Sequence, residues 1–247
     1  MKRYRFRVEG EIAQVEGAPY VKPASGPSGP RRPARLVAWL VFILLVAAIG
    51  YAGQAADTDL PDDFVYRYSA AILGVVQFAI FFGILLLIVL GLPKRELFGF
   101  ERPRSWPRAV AYVLGGLVAI FALSGALSPF LDASEEQGIV PEDWDPDRIG
   151  AFLAFGAVAT FLAPVVEELT FRGVGFALLA PYGPWVAIVA TGILFGAYHG
   201  LIVALPVLAG FGIVLGWLRY ATGSVYPCIA LHALFNGLAI ASVPFLE

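Results

Sequence analysis

Two glutamates sit side by side near the middle of an apolar run, in the string Glu167-Glu168-Leu169-Thr170-Phe171-Arg172. The run Ile149–Ala180 is longer than a bilayer core requires. An ionised side chain at that depth costs ~2.5–3.5 kcal/mol even on insertion scales, so intramembrane ionisable residues mark functional sites. On a helix, Glu168 and Arg172 are four residues apart and share a face, so they can pair. Glu167 points about 100° away and has no local partner. A lone carboxylate in a low-dielectric site suits a general acid or base. The chain has only two histidines, His199 and His232, and both also fall in apolar segments.

The spacing of these residues is informative. The turn Pro181-Tyr182-Gly183-Pro184 reverses the chain, so the segments on either side pack as an antiparallel pair. Glu167 lies about 14 residues before that turn and His199 about 15 after it, which at 1.5 Å per residue puts both ~21–23 Å from it. A carboxylate and an imidazole at one depth on adjacent helices can share a water. His232 and Asn236 are again four apart and project from one face. That pair suits an oxyanion, or one metal ligand with a supporting partner.

The elements that position these groups are membrane spans. Hydrophobic residues make up 59% of the 247 and charged residues 15%, with a mean hydropathy of +0.76. That is too apolar for an ordinary soluble domain. Seven runs approach the ~20-residue spanning length: 36–56, 69–92, 109–129, 149–180, 184–200, 201–220 and 226–245. The fourth is too long for a simple crossing and must protrude, tilt or break. Breaking would make an eighth span. The fold class is therefore all-α, a polytopic membrane bundle of about seven to eight helices. Three regions follow: a leader (1–35), N-terminal spans with acidic loops (36–148) and a site-bearing helical core (149–247). In the leader, Tyr4, Phe6 and Val8 alternate with charged residues as in a short strand, and 17–33 reads as a Pro/Gly/Ser linker. The first apolar run begins behind this polar leader, the wrong layout for a cleavable signal.

Charge sets the expected orientation. Lysines and arginines crowd the leader and the segment from Lys94 to Arg108, whereas the segments Asp57–Asp63 and Asp132–Asp147 are acidic. The positive-inside rule puts the N-terminus in the cytoplasm of a multi-pass cell-membrane protein. A net charge of −2 suggests no nucleic-acid partner. The single cysteine, Cys228, allows no internal disulfide framework. Asp143, Asp145 and Asp147 mimic the opening of a calcium loop, but Arg148 and Ala154 occupy the positions that need Gly and Glu. The zinc motif H-E-x-x-H fails because Gly200 follows His199. No span contains an Asp for an aspartyl dyad, and Ser124, Ser224 and Ser242 lack the context of an activated nucleophile.

Taken together, Glu167-Glu168-x-x-x-Arg172, Phe195-x-x-x-His199 and His232-x-x-x-Asn236 resemble the motifs of the CPBP intramembrane proteases. That family includes the type II CAAX prenyl endopeptidases and the bacteriocin-processing and abortive-infection proteins. The resemblance spans about Ile149–Val243 and implies a helical membrane endopeptidase whose site opens towards the cytoplasm. It implies that Glu167 and His199 activate water and that His232 and Asn236 stabilise the oxyanion. Glu168, Arg172 and Phe195 would support them. The family is often labelled metalloprotease, and Glu167, His199 and His232 could ligate zinc, but the motifs equally serve a metal-free glutamate mechanism. We take the version that requires no cofactor. The implied partners are the bilayer and a membrane-anchored or lipid-proximal peptide, with prenylated CAAX substrates disfavoured by the Ala-, Gly- and Arg-rich, bacterial style of the chain. The competing class is a non-enzymatic membrane protein, either a peptide-binding immunity factor or a proton-coupled carrier, using the same buried cluster.

Overall fold

The computed structural model describes residues 31–56, 61, 63–131, 136, 141 and 144–245. The strand and linker expected in the leader lie outside them, apart from 31–35. Among the described residues the main helices are, in order, α1 (Pro33–Ala55), α2 (Tyr68–Ile88), the short α3 (Lys94–Phe98), α4 (Trp106–Leu127), α5 (Pro146–Tyr182), α6 (Pro184–Tyr198), α7 (Leu205–Thr222) and α8 (Tyr226–Ser242). Six of these are long and apolar enough to cross a membrane, and α6 is a shorter apolar helix of 15 residues. The described residues form an all-helical bundle, as the hydropathy pattern predicts, with six full spans and one short one.

The long fourth run does not break. α5 continues for 37 residues and instead widens twice into π-helix, at Val158–Leu162 and Leu169–Gly175. Pro164 supplies the local reason for the first. It has no N–H to donate and its ring crowds the preceding turn, so the backbone widens just before it. Ala163 accordingly bonds back five residues, to the Val158 carbonyl. Such bulges free backbone carbonyls, which must find partners when buried. Other helices provide them. Asn236 Nδ2 of α8 donates to the Ala159 carbonyl at 2.8 Å, whose π-helical partner would have been Pro164. Trp39 Nε1 of α1 donates to Thr170 O at 3.0 Å, and Arg219 Nε of α7 to Arg172 O at 3.0 Å. The distortions on both sides of the Glu-Glu pair are thus stitched to three different helices.

α6 and α7 approach closely through small residues, as the Gly-rich stretch 210–216 suggests. A Cβ on Gly192 would come within 2.7 Å of Ile213 N, and one on Gly212 within 2.6 Å of Gly192 O. Both obstacles are backbone, so neither can swing aside. We expect Gly212→Ala to lower stability by about 1–3 kcal/mol, the usual cost of overpacking. Thermal unfolding of the purified protein in detergent reads this directly.

The two ends of the bundle are tied separately. At one end, Arg35 donates to the carbonyls of Leu87 and Leu90, capping the C-terminus of α2. At that same end the Val225 N–H bonds Gly99 O, the Arg104 N–H bonds Thr222 O, and Arg31 lies over the Tyr182 ring. At the other end Arg148 bridges Asp63 and Asp145, and the Asp145 N–H bonds the Tyr66 hydroxyl. Glu136 also lies there, holding the turn between α6 and α7. The first end is basic and the second acidic.

Candidate active site

Glu167 and Glu168 lie on α5 between its two π segments. Glu168 and Arg172 are both fully buried, and Glu168 Oε1 accepts from Arg172 Nη1 at 3.1 Å. The second arm of the guanidinium reaches α7, where Nη2 donates to the Gly212 carbonyl at 2.8 Å. That carbonyl is reachable because α6 and α7 are so close. The charged plane also sits 4.6 Å over the Phe195 ring, a favourable cation–π arrangement in a dry site. Glu168 is therefore a neutralised, anchored carboxylate.

His232 touches both glutamates. Its Nδ1 is 2.8 Å from Glu168 Oε1, and its Nε2 is 3.7 Å from Glu167 Oε2. With Nδ1–H donating to Glu168, the ring is oriented and Nε2 is presented to Glu167. A carboxylate holding the far nitrogen is the usual way to fix a functional imidazole. His199, which closes the C-terminus of α6, is fixed differently. Its Nδ1 lies 2.8 Å from the Phe195 carbonyl. A carbonyl only accepts, so Nδ1 donates and the lone pair is on Nε2. The Phe195 ring, 1% exposed, stands edge-on to both imidazoles, at 4.8 Å from His199 and 5.7 Å from His232. It is the spacer that sets the two rings apart.

Glu167, His199, His232 and Asn236 all line one cavity of about 270 Å³. The structure brings together the four residues that the spacing singled out; Phe195 also lines the cavity, while Glu168 and Arg172 are packed behind it. Asn236 has one amide hydrogen committed to Ala159 O, leaving its second hydrogen for a ligand. Among the described residues, no three His, Cys, Asp or Glu side chains are grouped so as to hold a metal ion. Glu167, His199 and His232 are not grouped in that way.

The cavity wall includes residues that sequence reasoning missed. α2 contributes Leu73, Gly74, Gln77 and Phe78, and Phe64 comes from the short helix Phe64–Tyr66 that precedes it. Gln77 is the one amide in an otherwise apolar span, a signal legible in principle. Glu136 was also missed. Its carboxylate accepts from the Ile202 and Ala204 N–H groups at 2.8 and 2.6 Å and from Gln54 Nε2 at 2.6 Å. It thereby braces the turn that leaves His199 and caps the start of α7.

Glu136 stands outside the spans, and its titration has a defined sign. Burial pushes its pKa up, but the hydrogen bonds from Ala204, Gln54 and Ile202 outweigh that and hold it below the usual carboxylate value. A depressed folded-state pKa contributes stability above the unfolded value, lost as pH falls through the folded one. The unfolding midpoint of the wild type should therefore exceed that of Glu136→Gln at neutral pH. The gap should close in the acid range, below the ordinary carboxylate pKa.

Fold and site together define a polytopic helical membrane protein with a buried Glu/His/His/Asn cavity. Residues 149–238 match the family described as type II CAAX prenyl endopeptidase Rce1-like, which bears out the CPBP resemblance read from the motifs. The match covers just over a third of the chain, from the start of α5 into α8, and leaves α1–α4 outside it. It suggests an intramembrane endopeptidase. No curated protein and no solved structure matches the chain.

Proposed function

We propose that this protein is a multi-pass cell-membrane endopeptidase, N-terminus in the cytoplasm, that hydrolyses a membrane-anchored or lipid-proximal peptide by a metal-free glutamate mechanism. The observation that carries this reading is the convergence of Glu167, His199, His232 and Asn236 on one cavity. Glu167 accepts a proton from water, and His199 Nε2 accepts that water's second hydrogen and aims the lone pair. The oxygen adds to the scissile carbonyl carbon, and the carbonyl electrons move onto the oxygen. Asn236 donates its free amide hydrogen to that oxyanion, and His232, in its doubly protonated form, donates from Nε2 while Nδ1–H holds Glu168. Collapse breaks the C–N bond as Glu167 returns its proton to the leaving amine.

The test uses wild-type protein and His199→Ala in proteoliposomes holding a pooled library of quenched, lipid-anchored peptides. Hydrolysis by the wild type and its loss in a folded His199→Ala variant are expected. Absence of hydrolysis by the wild type, or full activity in the variant, overturns the reading.

A further inference from the structure

Beyond a floor that includes Phe195 and Phe211, the cavity extends to one side of the catalytic level. Along α5 it is lined from Phe155 to Glu167 and by nothing after it. Along α2 it takes residues from Ala70 to Phe78, and along α8 from His232 to Asn236. Each of these stretches runs from the site towards the end of the bundle where Asp63, Glu136 and Asp145 sit. Phe64, the lining residue furthest in that direction, belongs to the segment clamped by the Asp63–Arg148–Asp145 bridge. The opposite direction is plugged. Phe171, Arg172, Val174 and Leu215, all fully buried, pack between the site and the basic end. An aqueous path to the site therefore comes from the acidic end or sideways past α2, whose Leu73 is 60% exposed.

The positive-inside rule assigns the two ends unequally. The basic end carries Arg35, Lys94, Arg95, Arg102, Arg104 and Arg108, whereas the described residues of the acidic end carry Arg67 and Arg148 against Asp63, Glu136, Asp145 and Asp147. Lys and Arg in short loops fix orientation, and acidic residues contribute little to it. A site reached from the cytoplasm, as the family resemblance implies, and this charge bias cannot both hold.

We infer that the catalytic cavity opens on the non-cytoplasmic side of the membrane, so that its substrates are polypeptides cleaved at that surface, exported or anchored with the cut site outside. The substrate class rests on the proteolytic reading, whereas the sidedness does not.

Single cysteines test it in sealed, right-side-out vesicles with a membrane-impermeant maleimide. The wild type, whose only cysteine, Cys228, is fully buried, serves as the blank. Phe64→Cys, at the cavity mouth, and Asp147→Cys, exposed at the same end, should label without detergent. Arg102→Cys should label only after permeabilisation. Labelling of Arg102→Cys in sealed vesicles, with Phe64→Cys and Asp147→Cys protected, overturns the sidedness. If the labelling holds but no polypeptide gains a new N-terminus in cells expressing the protein, the substrate class fails and the sidedness stands.

Discussion

Glu167→Gln is expected to slow peptide hydrolysis by about 10²–10⁴-fold, the usual contribution of a positioned general base, with the bundle still folded. The substitution keeps the shape of the side chain and removes only its capacity to accept the proton. Glu167 is 7% exposed and lines the cavity, and its carboxylate lies 3.7 Å from the His232 ring. It takes no part in the Arg172 bridge, so little of the packing depends on its charge. Glu168→Gln offers the contrast. Glu168 does not line the cavity, and it holds both Arg172 and His232. That change should lower the unfolding temperature as well as the rate, because it weakens an ion pair and releases the ring. A Glu167→Gln variant as destabilised as Glu168→Gln would show that the two carboxylates do not divide the work in this way. Thermal unfolding and hydrolysis measured on the same preparations separate the cases.

Arg172→Met is expected to destabilise the protein by about 3–5 kcal/mol, because breaking a buried pair leaves an uncompensated charge. The residue is fully buried, bonds Glu168 and the Gly212 carbonyl, and lies against Phe195. Its removal strips Glu168 of its ion-pair partner and the Gly212 carbonyl of its side-chain donor at once. Adding Glu168→Leu should recover a good part of the loss, since apolar replacements of a buried pair are often neutral or better. Glu168 Oε2 and Arg172 Nε have no hydrogen-bond partner among the described residues, so this pair is not ideally satisfied and the recovery should be visible. Activity should not return, because His232 then has nothing to hold Nδ1. Unfolding temperature and hydrolysis rate of the single and double variants check both halves.

Much of this arrangement was legible in residue spacing within single helices. Glu168 and Arg172, Phe195 and His199, and His232 and Asn236 are each four apart, and an α-helix puts such residues on one face whatever surrounds them. The level of Glu167 and His199 followed from counting residues on either side of the turn at Pro181–Pro184. Contacts between helices were not legible. The His232–Glu168 bond joins residues 64 positions apart, and no periodicity encodes which helix α8 will face. The π segments were missed as well, although Pro164 was a local hint. Without them the Ala159 carbonyl is not free, and the second job of Asn236 cannot be seen. The long run was expected to break as one option, yet a helix can absorb its extra length by widening when neighbours supply donors such as Trp39 and Arg219. Glu136 read as one more charge in an acidic loop, because its partners are backbone groups of a turn far along the chain.

The central claim is that Glu167 serves an intramembrane endopeptidase as its water-activating base. Profiling of new protein N-termini, in cells expressing the wild type or Glu167→Gln at equal levels, tests it most directly. The account predicts a set of N-termini in membrane-associated polypeptides that arises with the wild type and is absent with Glu167→Gln. The same set from both, or no new N-termini from either, would contradict it.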